Sequence, residues 1–288
     1  MIRLSIAVAA VVLLGGCATT TRQTDSLLRA PPEDLPHFVQ LVDVPFVEQA
    51  SGYCGPATLT MAMRSQGKEV TVDELAPQIF TPGSKGSLQS DMIGASRRHG
   101  MLAIRIEGLS AVLKEVASGH PVIVFENLGL SWFPSWHYAV VTGYDIAKQD
   151  IILHSGAKAF AREDLRRFEY AWKLAGYWAI AVLPPGELAV TANELAHVSA
   201  AAGLEQAGKL AEAQRSYKSI LNRWPQSFAS LIGLGNVTYR NGDVASSVRY
   251  LKRATELEPS SEIARNNLQV ALRAGANSDK AFRPHSQK

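Results

Sequence analysis

The most reactive side chain that the sequence offers is the thiol of Cys54, set in the run Val44-Pro45-Phe46-Val47-Glu48-Gln49-Ala50-Ser51-Gly52-Tyr53-Cys54-Gly55-Pro56-Ala57. Thr58 to Met63 continues as an amphipathic helix, so Cys54 is expected at a helix N-terminus. Pro56 suits the first helical turn, where its missing N–H has no partner to lose. Gly55 allows another chain segment to come close beside the sulfur. Unpaired N–H groups and the positive end of the helix dipole both favour a thiolate. Beside an imidazolium, such a thiol has a pKa of roughly 3.5–7.5 instead of about 8.5. The thiolate is the species that attacks, so the placement suits acyl transfer. That reaction needs donors for an oxyanion. The Cys54 backbone N–H is one, and the amide of Gln49, folding back from five positions earlier, is the other. The plainer alternative for Cys54 is a small buried apolar residue.

A general base has to come from elsewhere in the chain. Of seven histidines, His37, His99, His120, His197 and His285 fall at chain ends, in helices or in loops. His137 follows Trp132-Phe133-Pro134-Ser135-Trp136 and opens an apolar strand, Tyr138 to Tyr144. A histidine at a strand start is held rigidly, with its ring on one face. It is therefore the candidate base, against the alternative of a core or rim histidine. The Trp132, Phe133 and Trp136 cluster either walls a substrate cleft or packs on the core.

Gln49…Cys54-Gly55-Pro56-Ala57 followed by His137-Tyr138-Ala139-Val140-Val141-Thr142-Gly143-Tyr144-Asp145 resembles the C39 peptidase family, which includes the bacteriocin-processing peptidases that cut leader peptides after double glycine. The resemblance covers about half the chain, His37 to Pro185. It implies a papain-like fold with Cys54 as nucleophile, His137 as base and Gln49 as oxyanion donor. One departure stands out. The family's third member is usually an Asp followed by Pro, and this chain has Leu153-His154-Ser155-Gly156 there. Ser155, with His154 as second choice, takes the position that would orient the imidazole. A hydroxyl stabilises an imidazolium less than a carboxylate does. The transporter that often accompanies the family is missing, since no Walker sequence occurs, so no nucleotide is expected. Neither a CxxC pair nor an HExxH motif is present, so no metal and no cofactor are expected.

The elements that must position these residues are legible in outline. Short β-rich runs bounded by turn residues cover Pro121 to Phe125, Tyr138 to Tyr144, Ile151 to Leu153 and Tyr177 to Leu183. Pro184-Pro185-Gly186 closes this region. From about Thr191 the composition turns to Ala, Leu and Glu with helical spacing. Gly208, Ala213, Tyr217 and Pro225 recur as Gly242, Ser247, Leu251 and Pro259, each 34 residues on, the length of a tetratricopeptide repeat. The consensus aromatic near each repeat start is missing. A third helix, Glu262 to Ala274, reads as a cap. The expected organisation is an α+β papain-like cysteine peptidase domain followed by an all-α tetratricopeptide-repeat domain. Residues 1–17 form a signal peptide and lipobox, 18–36 a flexible tether, and 37–185 the peptidase domain. A linker covers 186–192, repeats and cap cover 193–275, and a disordered tail covers 276–288.

The chain has 288 residues, 47% of them hydrophobic, and a net charge of +3, too small to argue for a nucleic-acid partner. Arg3, the apolar stretch Ile6 to Leu14 and Gly15-Gly16-Cys17 have the layout of a signal peptide. Leu14-Gly15-Gly16-Cys17 resembles the bacterial lipobox, in which Cys17 is acylated, against the alternative of an ordinary signal peptide with an incidental cysteine. Acylation would anchor the chain to the membrane. Ala18 after the anchor points, by the same resemblance, to the outer membrane facing the periplasm. With Cys17 acylated, Cys54 is a lone thiol and no internal disulfide forms. The reading is an envelope-anchored cysteine peptidase that acts on a peptide or protein and recruits a protein partner through its repeats. Its alternatives are a catalytically weak C39-like binding module and another papain-like envelope hydrolase or acyltransferase.

Overall fold

The computed structural model describes residues 21–50, 52–81, 83 and 86–281. Cys17 and the expected signal segment lie outside them. The chain opens with α1 (Arg22–Arg29), β1 (Phe38–Gln40), α2 (Cys54–Ser65), α3 (Val72–Ile79), β2 (Phe80–Thr81), β3 (Gly86–Ser87) and α4 (Gln89–Arg98). There follow β4 (Leu102–Arg105), α5 (Leu109–Ala117), β5 (Val122–Asn127), β6 (Trp136–Asp145), β7 (Asp150–Ser155), β8 (Lys158–Asp164), α6 (Leu165–Leu174) and β9 (Ala179–Leu183). Five helices complete the chain: α7 (Glu194–Gln206), α8 (Leu210–Arg223), α9 (Phe228–Arg240), α10 (Val244–Leu257) and α11 (Glu262–Ala281). This is an α+β domain built on an antiparallel sheet, followed by a helical region.

The larger sheet is antiparallel throughout, in the order β4-β9-β5-β6-β7-β8, with β1 added along the end of β6. Both of its faces are buried. On β5, Val122 and Val124 join one core cluster and Ile123 the other. On β6, Ala139 and Val141 alternate with Tyr138 and Val140 in the same way. That is why these strands read as unbroken apolar runs and not as an alternating pattern. Residues of α2, α3 and α4 cover one face, and residues of α1, α5 and α6 the other.

Four expectations are corrected. The tether expected over 18–36 is not free along its length: Arg22–Arg29 is helical, with Leu27 and Thr24 buried. The Glu169 carboxylate accepts from the N–H groups of Gln23 (3.1 Å) and Thr24 (2.7 Å) and so satisfies the helix start. Scattered apolar and polar contacts on a short polar helix leave too weak a pattern to see in sequence. Second, residues 186–192 are docked and not a loose linker. Ala189 is fully buried, and Thr191 donates to Glu115 through both its N–H (2.7 Å) and its hydroxyl (2.5 Å). The core then runs on from Leu102, Ile104 and Leu183 into Ala200, Leu204 and Tyr217 of the helical region. Third, α11 runs past the expected cap and tail boundary, to Ala281. Tyr177, placed in a strand from sequence, sits before β9 with φ 54°.

The 34-residue correspondence has a structural counterpart. Gly208 (φ 75°) and Gly242 (φ 83°) turn the chain between α7 and α8 and between α9 and α10, in a backbone region that favours glycine. Ala213 and Ser247 are both fully buried, and Tyr217 and Leu251 both pack on glycines of α9, Gly233 and Gly235.

Where the helical region joins the sheet domain, the buried His120 lies between Glu115 (2.7 Å) and Glu187 (2.8 Å). Burial alone would depress His120, but its hydrogen bonds to Glu115 and Glu187 outweigh that and raise its pKa. Burial likewise opposes ionisation of Glu115, and His120 and Thr191 outweigh it, so the Glu115 pKa is lowered. The stability from a raised His120 is complete below its unfolded value of about 6.5 and is lost as pH rises through the folded value. Glu115→Gln is expected to cost about 3 kcal/mol, as breaking a buried pair does. The loss should be larger at pH 6 than at pH 9, read from urea unfolding midpoints.

Candidate active site

Cys54 is the first residue of α2, as its sequence context leads one to expect. The preceding Tyr53 gives no side-chain cap, so the first N–H groups of the helix stay available. Thr58 tightens this turn, its hydroxyl donating to the carbonyls of Cys54 (2.8 Å) and Gly55 (3.0 Å). From Gly55 to Met63 every residue of α2 is buried. The helix is therefore walled on all sides and cannot roll. Gly55 meets Ser87 of β3 so closely that an added Cβ would overlap the Ser87 side chain.

The thiol carries two opposing influences. Burial pushes the Cys54 pKa up, and the net shift is upward. The backbone N–H groups of Tyr138, Gly55 and Cys54 itself pull it back by favouring the thiolate. The low thiol pKa expected from the helix end alone is thus not what this resting environment gives, because burial outweighs the helix start while the imidazole is neutral.

His137 is the second residue of β6, half-buried and lining the same cleft as Cys54. Burial holds its pKa below the ordinary value. Its Nε2 lies 2.9 Å from the Ser155 hydroxyl on β7, and no hydrogen bond joins its ring to Cys54 among the described residues. Bonds between catalytic groups commonly tighten only with substrate in place. Of Ser155 and His154, Ser155 touches His137 and His154 does not. His154 is fully buried. Its Nδ1 accepts from the Phe160 N–H (3.1 Å), so its Nε2 carries the proton and donates to the Val44 carbonyl (3.0 Å).

Gln49 is pinned beside the turn that follows β7. Its N–H donates to the Gly156 carbonyl (3.1 Å), and its Oε1 accepts from the Gly156 N–H (3.1 Å). The Nε2 at the other end of the amide is buried without a hydrogen-bond partner, and Gln49 lines the cleft. Consecutive residues, Ser155 and Gly156, therefore hold both His137 and Gln49.

The cleft has a volume of about 930 Å³ and takes in Gln49, Cys54, Ser87, Trp136, His137 and Tyr138. Of the three aromatics singled out in the sequence, Trp136 lines it. Trp132 and Phe133 are 79% and 77% exposed and neither wall the cleft nor pack on the core. Trp136 stacks on Phe125 (5.2 Å between centroids), Phe125 meets Tyr138 (4.5 Å), and Tyr138 meets Trp178 (5.7 Å). This aromatic ladder ties the cleft wall to the core.

Two residues at the site escaped sequence reasoning. Ser87, with a buried unpartnered hydroxyl, reaches the site through a short hairpin that carries no sequence signal. Glu126 pairs directly with His137 across β5 and β6 and is 1% exposed. Its signal is a single acidic residue closing the apolar run Pro121 to Phe125. Burial first, with help from Glu163, pushes the Glu126 pKa up to about 8.

Residues 41–180 match the model of the Peptidase_C39 like family, a span that includes Gln49, Cys54, His137 and Ser155. A crystal structure from Bacillus anthracis described as a C39-like peptidase aligns with 51% of this chain and 98% of its own, at 19% identity and a TM-score of 0.45. No curated protein sequence matches. Residues 41–180 are thus similar to the C39-like peptidase family.

Because the first turn of α2 has no room beside Ser87, Gly55→Ala is expected to destabilise the protein by about 1–3 kcal/mol, as overpacking does. It should also change the rate at which iodoacetamide alkylates Cys54, with thermal melting and mass spectrometry as the readouts.

Proposed function

We propose that this domain is a cysteine peptidase of the bacterial cell envelope. Its catalytic pair is Cys54 and His137, with Gln49 as oxyanion donor and Ser155 as positioning residue. The observation that carries the reading is the Gln49 Nε2. It is a buried donor with no partner, on an amide whose other end is tied down, in the cleft that holds Cys54 and His137. Donors placed ahead of the reaction where negative charge will develop are worth most in a site that excludes water.

In this mechanism the Cys54 proton passes to His137, and Sγ attacks the scissile carbonyl carbon. The carbonyl electrons move onto oxygen, which the Cys54 N–H and the Gln49 amide hold. The C–N bond then breaks, with His137 returning its proton to the leaving amine. Water, deprotonated by His137, hydrolyses the thioester and frees the acid. Ser155 holds the ring by its Nε2 throughout, leaving Nδ1 for the exchange with sulfur.

The wider assignment draws on the sequence. Lipid on Cys17 would hold the enzyme at the outer membrane facing the periplasm, with no nucleotide, nucleic acid or cofactor. The substrate is a peptide or protein, and for the cleavage position the C39 resemblance supports Gly-Gly. The 34-residue recurrence supports a tetratricopeptide-type surface for a protein partner. A second reading has one observation in its favour. Burial favours the neutral forms of both Cys54 and His137, which suits a domain that binds peptide and cuts it slowly or not at all.

Incubating the envelope proteome with the protein and mapping new N-termini tests the choice. New termini should appear with the wild type and vanish with Cys54→Ala and with His137→Ala. Gln49→Ala should lower kcat by about 10²–10³ with little change in KM. Termini that persist with Cys54→Ala would sink the peptidase reading, and no termini with peptide still bound would favour the binder.

A further inference from the structure

A buried carboxyl stands beside the proposed base, and its Oε1 has no hydrogen-bond partner among the described residues. Glu126 on β5 is the direct antiparallel neighbour of His137 on β6. Residues so paired project to the same face with Cβ atoms about 4.5–5.5 Å apart. Glu126 is 1% exposed, and its Oε1 makes no hydrogen bond. Earlier on the strand, Val122 and Val124 on the same face are apolar, as burial demands. A carboxyl at that depth, left unsatisfied, needs a physical reason.

His137 supplies one. Its ring is bonded on the β7 side to Ser155, a hydroxyl that can orient it but brings no charge. On the β5 side stands Glu126. We infer that Glu126 is a positioning residue of the catalytic pair, its carboxylate stabilising the imidazolium that His137 becomes on taking the Cys54 proton. The inference rests on the cysteine-peptidase reading above, and it deepens it: the negative charge missing from the Ser155 position comes from the opposite neighbouring strand.

At rest both groups are neutral, Glu126 because burial raises it to about 8 and His137 because burial lowers it. A proton arriving on His137 makes ionisation of Glu126 easier, and an ionised Glu126 makes that proton easier to hold, so the two titrate as a pair. Of the charged groups around β5, Glu163 on β8 acts on Glu126 and pushes it further up. Arg167 on α6 pairs with Glu163 at 3.1 Å and blunts that effect. On α5, Glu115 is tied to His120 at the far end of β5, and β9 carries no ionisable residue. Glu169 on α6 is held by the N–H groups of Gln23 and Thr24, and Cys54 on α2 and Tyr138 on β6 are the other ionisable groups at the cleft.

Glu126→Gln keeps shape and volume and removes the charge. The test is the pH profile of iodoacetamide alkylation of Cys54 in the full chain, together with the NMR titration of the His137 imidazole. Glu126→Gln should slow alkylation about tenfold near pH 7, equivalent to one pH unit of lost thiolate, and should lower the His137 midpoint. Glu126→Asp should recover part of both, and Glu126→Gln should add nothing to His137→Ala. A wild-type profile in Glu126→Gln, while His137→Ala still changes it, would overturn this inference and leave the peptidase reading standing. A profile insensitive to His137→Ala as well would overturn the pair itself. Should Glu126→Gln fail to fold, infrared titration of the Glu126 carboxyl in wild type and His137→Ala decides. A midpoint higher in His137→Ala supports the coupling, and an unchanged midpoint refutes it.

Discussion

Helix α2 is buried on every side from Gly55 to Met63, and its first turn is pressed against Ser87 of β3 and the backbone of Tyr138 on β6. The position of the sulfur follows from that confinement. A surface helix is held along one stripe and can shift by repacking a few side chains. This one has no solvent face into which to move, and interiors are packed too densely to absorb a displacement. The same closeness that fixes Cys54 also buries it, so the thiol pays for its precision with a desolvated resting state. Only the backbone N–H groups of Tyr138, Gly55 and Cys54 oppose that cost.

The polar groups around α2 divide by how completely they are paired. His154 is bonded at both ring nitrogens and braces the loop at Val44 against β8. Gln49 is bonded at its oxygen and open at its nitrogen, and His137 is bonded at Nε2 and open at Nδ1. A buried polar atom left open is costly unless something later occupies it. The open atoms share the cleft with Cys54. The half-paired state of each side chain both orients it and leaves one end for chemistry. The turn at Ser155 and Gly156 does this for two of them at once, so the distance between His137 and Gln49 depends on one short connection.

The rest of the chain is fastened to this core and not strung beside it. Helix α1 docks through the carboxylate of Glu169, and the segment entering the helical region docks through Glu115. With Ala200, Leu204 and Tyr217 in the same apolar cluster as the sheet, the helical region presents its outer surface at a fixed attitude to the cleft.

The sequence by itself determined the local features: the helix beginning at Cys54, the strand opening at His137, the amide at Gln49, the turn glycines and the 34-residue recurrence. Each is a matter of short-range propensity or of residue type at fixed spacing, which one sequence records directly. Only the tertiary structure decided between Ser155 and His154, since adjacent strand residues point to opposite faces and the register with β6 selects which one meets the imidazole. It alone showed that residues 22–29 and 186–192 are docked, because a few buried hydrogen bonds to distant carboxylates leave no periodicity. It alone brought Ser87 and Glu126 to the site. Their importance lies in what stands opposite them, and strand pairing between residues far apart in the chain is a property that no local pattern encodes.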